Sequence, residues 1–115
     1  MTFSRACAVG DVADGSALAV RIDVDGGWED IAVVRSGDDF YAVRDECSHA
    51  AIALSEGEVE GCEIECWLHG SRFDLRTGKP TGLPATEPVA TFPVEVRGAD
   101  IYVDITTTLN GVTPQ

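Results

Sequence analysis

The sequence predicts an all-β domain, a sandwich or barrel of short antiparallel strands. Three observations lead there. Glycine and proline, 12 and 5 of the 115 residues, punctuate segments rich in Val, Ile, Thr and aromatics. Within those segments apolar residues recur with period two, most clearly at Leu18, Val20, Ile22 and Val24. No convincing amphipathic helix of 10 or more residues is present.

The elements follow in order. A strand over residues 17–24 buries one face. Asp25-Gly26-Gly27 turns the chain into a second strand over 28–35, and Ser36-Gly37-Asp38-Asp39 into a third over 40–44. That third strand delivers the chain to Cys47. Residues 50–54 read as one helical turn or an irregular loop, and Ser55-Glu56-Gly57-Glu58 as a turn. Alternation resumes over 61–66, with Cys62, Ile64 and Cys66 on one face and Glu63 and Glu65 on the other, which makes Cys62 a core thiol. Residues 72–75 form a short returning strand closed by Thr77-Gly78-Lys79, and 81–88 a rigid loop containing Pro84 and Pro88. Residues 89–97 and 101–105 make a last hairpin, with Pro93 marking an edge or a bulge. The polar tail from Thr106 is expected to fray. The length fits one domain over 1–115.

The net charge is −12, from 20 acidic and 8 basic residues. That argues against nucleic acid, whose phosphates need a basic face, and against an anionic membrane surface. It fits a protein that meets a basic patch on a partner, although solubility alone would account for it. No basic stretch followed by an apolar core opens the chain, and no run approaches the roughly 20 apolar residues that span a bilayer. A cytoplasmic monomer is expected. The four cysteines, Cys7, Cys47, Cys62 and Cys66, then read as thiols of a reducing compartment rather than disulfides. Cys7 lies outside any motif and reads as a buried or half-exposed free thiol.

The chemistry concentrates in Cys47-Ser48-His49 and Cys66-Trp67-Leu68-His69-Gly70, separated by 16 residues (50 to 65). His49 and His69 are the only histidines, and each lies beside a cysteine. Two thiolates with two imidazoles suit either zinc or an iron–sulfur cluster. The generic zinc pattern groups cysteines with cysteines and histidines with histidines. Here each pair is mixed, so two loops can each supply one ligand to each of two irons, which favours a cluster without removing zinc. Four protein ligands leave no open metal position, no separate two-histidine, one-carboxylate iron site is possible, and no glycine-rich nucleotide motif is present. An electron carrier is expected rather than an enzyme.

Residues 47–84 resemble a Rieske [2Fe-2S] protein: Cys-x-His, then 16 residues, then Cys-x-x-His-Gly, continuing through Arg72-Phe73-Asp74-Leu75-Arg76-Thr77-Gly78-Lys79-Pro80. Within that superfamily the chain is similar to the ferredoxins of bacterial ring-hydroxylating dioxygenase systems, in length and in Leu54-Ser55-Glu56-Gly57. The resemblance implies a Rieske-like β-sandwich with a cluster-binding subdomain over about 45–84 inserted in the β base. It implies one [2Fe-2S] cluster per chain, bound by Cys47, His49, Cys66 and His69. It implies electron transfer from a ferredoxin reductase to a terminal non-haem iron oxygenase or another redox acceptor. Two other roles on the same scaffold stay open, iron–sulfur cluster assembly and a small reductase subunit, as does a zinc-stabilised interaction module.

The resemblance also carries expectations for neighbouring residues. Rieske proteins of respiratory complexes add a disulfide between the ligand loops; Ile52 and Leu68 stand at those places here, so it cannot form. They also set a serine and a tyrosine after the second histidine, both donating to cluster sulfur. Ser71 keeps the first and Phe73 replaces the second. Fewer donors to sulfur lower the potential, which is therefore expected in the lower half of the Rieske range of about −150 to +300 mV. Trp67 is expected to shield the cluster, and Pro84 to stiffen a third covering loop. Arg44, Arg72, Arg76 and Lys79 read either as a docking patch or as charges offsetting acidic neighbours.

Overall fold

The computed structural model describes residues 3–24, 27–46, 53–66, 70–81 and 87–111. Those residues form ten strands in three antiparallel sheets, with no α-helix among them. Strand β1 (Ser4–Ala8) is followed by β2 (Ser16–Val24), β3 (Gly27–Ser36) and β4 (Asp39–Arg44). A short 3-10 turn at Leu54–Glu56 leads to β5 (Val59–Glu60), β6 (Glu63–Glu65) and β7 (Arg72–Asp74). The last three are β8 (Thr91–Phe92), β9 (Val94–Arg97) and β10 (Asp100–Val103). The sheet orders are β2-β3-β4-β8, β1-β10-β9 and β5-β6-β7.

Strand β3 is the centre of the molecule. Ile31, Ala32, Val33 and Val34 are all fully buried, because both faces of the strand are covered. Ile31 and Val33 pack with Ile22, Ala42 and Phe92 and with Cys7, Ile101 and Val103 of the β1-β10-β9 sheet. Ala32 and Val34 face the other way, into a cluster with Val43, Leu54, Ile64, Cys66, Phe73 and Leu75. A strand buried on both faces reads as a continuous apolar run, as this one does. Strands β2 and β3 pair from Ser16 opposite Arg35 to Val24 opposite Gly27, and β3 pairs β4 from Ile31 opposite Arg44 to Ser36 opposite Asp39. Gly37, at φ +64, makes the tight turn of the second hairpin.

Four details differ from the sequence reading. Strand β1 was not expected; it has no alternating pattern of its own and is defined by pairing with β10, with a register shift between Arg5 and Cys7. Residues 61–66 do not form one strand: Gly61, at φ +60, and Cys62 are the turn joining β5 to β6, so Cys62 is half-buried rather than a core thiol. Residues 89–97 do not form one strand either. Pro93 has no N–H to continue a ladder, and at Pro93 the chain leaves the β4 partner of β8 for the β10 partner of β9. The tail is tied down as far as it is described: the Leu109 N–H donates to the Thr91 carbonyl at 2.8 Å, and the Asn110 amide donates to the Thr77 and Val89 carbonyls at 2.9 and 2.8 Å. The turn at residues 25–26 lies outside the described residues.

Candidate metal centre

Cys66 directly follows β6, fully buried, with a free thiol. Its place follows from the β6–β7 ladder, in which Ile64 lies opposite Phe73 and Glu65 opposite Arg72. One step further, the Cys66 N–H donates to the Ser71 carbonyl at 2.6 Å and the Gly70 N–H donates back to the Cys66 carbonyl at 2.9 Å. Those two bonds close the second ligand loop at its root. Gly70 takes φ +75, a conformation that costs glycine little. Ser71 is also fully buried.

The first ligand segment is held in a comparable way. Asp45 ends the run from β4, and its carboxylate accepts the Ser55 N–H at 2.7 Å and the Ser55 hydroxyl at 2.8 Å. This clasp joins the residues just before and just after Cys47 and His49. Leu54, beside it, is fully buried in the same cluster as Cys66 and Phe73. Both ligand segments therefore rise from one apolar core. Cys47, His49, Trp67, His69 and Pro84 themselves lie outside the described residues, and among the described residues no three His, Cys, Asp or Glu side chains converge on a metal-sized space.

The basic residues near these loops are paired. Arg72 reaches Glu65 at 3.2 Å and Glu60 and Glu63 at 3.8 Å. Arg44 lies 3.1 Å from Glu46 and 3.5 Å from Glu29, and Arg76 3.5 Å from Asp74. Three of the four thus offset acidic neighbours; Lys79 is exposed. Burial pushes the Asp74 carboxyl up, but hydrogen bonds from Arg76 and Thr77 and the Arg76 charge outweigh it and hold it below its ordinary value. The two remaining cysteines stand apart. Cys7 is buried, and its thiol is pushed up by burial first and by Asp11 second, which keeps it a packed, inert group. Cys62 lies 3.6 Å from the Tyr41 hydroxyl.

A model of the Rieske [2Fe-2S] domain matches residues 2–93. The chain belongs to that family. A Rieske domain carries a [2Fe-2S] cluster, and the residues present fit one: two thiols and two imidazoles in mixed pairs, with the Cys66 thiol free, buried and set at the mouth of a hydrogen-bonded loop. The 3-phenylpropionate/cinnamic acid dioxygenase ferredoxin subunit of Escherichia coli (strain K12) is 46% identical over 101 residues, covering 87% of this chain and 91% of that protein. The ferredoxin of carbazole 1,9a-dioxygenase from Nocardioides aromaticivorans IC177 superposes with a TM-score of 0.79 at 42% identity, covering 90% of this chain and 97% of that one. A chain from the complex of reduced oxygenase and oxidized ferredoxin in carbazole 1,9a-dioxygenase gives 0.77 at 40% identity, covering 88% and 91%. Sequence reasoning singled out the two Cys/His pairs as candidate ligands but not the Asp45–Ser55 clasp; an Asp ahead of Cys47 and a Ser after the segment were its only signals.

Proposed function

We propose that this Rieske protein is the one-electron carrier of a ring-hydroxylating dioxygenase system, taking electrons from a ferredoxin reductase and passing them to a terminal non-haem iron oxygenase. It is an electron-transfer component and not itself the enzyme. Cys47 and Cys66 are the thiolate ligands on one iron, and His49 and His69 the imidazole ligands on the other. The bound cluster supplies a reversible one-electron couple. The chain supplies the rest. Cys66, buried just after β6, keeps its side of the centre dry, and the bonds from the Cys66 N–H to the Ser71 carbonyl and from the Gly70 N–H to the Cys66 carbonyl close the root of the segment that carries His69. Trp67 shields the centre, Ser71 donates toward sulfur, and Pro84 stiffens the covering loop. Residues 45–84 act as the cluster-binding subdomain on the β base of a single domain. Among the described residues no helix is long and apolar enough to cross a membrane, and the protein works as a monomer in the cytoplasm.

The observation that carries this reading is the family match over residues 2–93 together with 46% identity to a dioxygenase ferredoxin subunit along nearly the whole chain. Iron and acid-labile sulfide analysis of the purified protein tests the cofactor, with two of each per chain expected. A colourless protein holding one zinc would overturn it. Reductase-dependent turnover of a terminal oxygenase, present with this protein and absent without it, tests the role.

A further inference from the structure

We propose that the groove lined by Trp28, Glu29, Asp30, Arg44, Asp45 and Glu46 is where a redox partner seats an arginine-bearing loop. The proposal deepens the electron-carrier reading and rests on it for the partner's nature.

The groove measures about 360 Å³ and lies at the end of the β3–β4 pair from which the chain runs into Cys47. Its wall is an exposed indole: Trp28 remains 57% exposed although a guanidinium already stacks on it. That guanidinium belongs to Arg21, 4.1 Å above the ring centre and fixed in place by bonds of 2.9 and 3.4 Å to the Asp30 carboxylate. The ring therefore demonstrates on this surface the contact that a partner's arginine would make with the area left open. A large apolar ring left in solvent is a preferred anchor at protein interfaces.

The floor of the groove is acidic. Three carboxylates, from Glu29, Asp30 and Glu46, pair with two guanidiniums, from Arg21 and Arg44, and Asp45, whose carboxylate is held by Ser55, adds a fourth negative charge to the lining. Arg44 bridges Glu29 and Glu46 and leaves the Glu46 side chain 44% exposed. The Glu29 carboxyl is pushed above its ordinary value, by burial first and then by Asp30 and Glu46 against the opposing pull of Arg44. A second cation arriving here would add to the pull that Arg44 already exerts on these carboxylates. Charge and ring together select a basic, planar-headed side chain over an apolar or acidic one. Glu46 immediately precedes Cys47, so a partner seated here is brought to the root of a ligand segment.

The test is titration of the iron-loaded protein with an arginine hexapeptide at low ionic strength, with iron and sulfide content measured for every variant. Trp28→Ala removes no charge and should weaken binding about two- to fivefold, the range of an exposed cation–ring contact. Glu46→Gln should weaken it and flatten its salt dependence. Asp38→Asn with Asp39→Asn removes two charges at the opposite end of the hairpin and should change binding less than about twofold. If Trp28→Ala does not hold its cluster, Trp28→Phe, which keeps a smaller ring, carries the test with an intermediate loss. Wild-type affinity in Trp28→Ala, or an equal loss in the Asp38 and Asp39 variant, overturns the proposal, since binding would then be general acidity. A wild-type protein that binds the peptide but lacks iron would instead count against the carrier reading alone.

Discussion

Gly57 lies against the backbone carbonyl of Glu65 so closely that a β-carbon at 57 would overlap that oxygen. The contact is backbone to backbone, so no side chain can swing aside to relieve it. Glu65 is the residue before Cys66, and its N–H donates to the Glu58 carbonyl at 2.8 Å. Gly57→Ala must therefore move the strand end that presents Cys66. Overpacking of this kind costs about 1–3 kcal/mol. The expected outcome is a lowered unfolding midpoint and a cluster content below one per chain, both read from thermal melts and iron analysis against Glu56→Ala, at an exposed neighbouring position, as the comparison.

The Asp45–Ser55 clasp sets the ends of the segment containing Cys47 and His49. Asp45→Ala leaves the Ser55 N–H without its acceptor, a loss of about 1–3 kcal/mol for a part-buried charged hydrogen bond. Asp45→Asn keeps one acceptor oxygen and should lose less. Iron retention under a chelator, measured as a rate of bleaching, should rank wild type slowest, Asp45→Asn next and Asp45→Ala fastest.

Most of the strands were legible because they carry period-two patterning, and the Rieske family was legible because the two mixed Cys/His pairs put metal-binding side chains at short spacing. What escaped was set by partners distant in sequence. Ser4–Ala8 is a strand through its pairing with β10 some ninety residues away, at Val103 and Asp100. The parity argument for Cys62 failed because Gly61 turns the chain there, and parity holds only within one strand. Pro93 was recognised as an interruption, but which sheet lay on each side of it depended on β4 and β10. Asn110 reads as a polar tail residue, and nothing local shows that its amide reaches Thr77 and Val89.

Asn110 ties the end of the chain to the turn after β7. Its amide donates to two carbonyls, and its oxygen accepts the Thr91 N–H at 3.3 Å. Gly78, at φ +75, packs against the same Val89 carbonyl and has no room for a β-carbon. Asn110→Ala should cost about 1–3 kcal/mol by denaturant unfolding, because the carbonyls at Thr77 and Val89 lose a donor. Asn110→Asp restores the acceptor but not the donors and should recover little of the loss.

Tyr41 should titrate late. Its hydroxyl is pushed up to about 12, first by its hydrogen bond with Cys62, then by burial and by the charge of the Cys62 thiolate and Asp39. A folded value above the ordinary 10 means that the native state keeps this proton longer than the unfolded chain does. The stabilisation is complete below pH of about 10 and is lost as pH rises toward about 12. Carbon-13 tyrosine NMR should show one of the two tyrosines ionising near 12, and Cys62→Ala should bring it down toward the ordinary value. An unchanged titration in Cys62→Ala would remove the thiol as the cause.

Phe73 and Ser71 set the expected potential. Phe73 is fully buried beside Ile64 and Cys66, with no polar atom to offer the cluster, while Ser71 is buried at the closed root of the second loop. A donor to cluster sulfur stabilises the reduced, more negative state and raises the potential. The wild-type protein should therefore titrate in the lower half of the range from about −150 to +300 mV. Phe73→Tyr should move it upward and Ser71→Ala downward, each with iron content held at the wild-type level. Phe73→Leu and Ser71→Thr separate this from packing: the first changes volume without adding a donor and should not raise the potential, and the second keeps the hydroxyl and should retain it, whereas shifts that follow side-chain size alone would remove hydrogen bonding to sulfur as the cause.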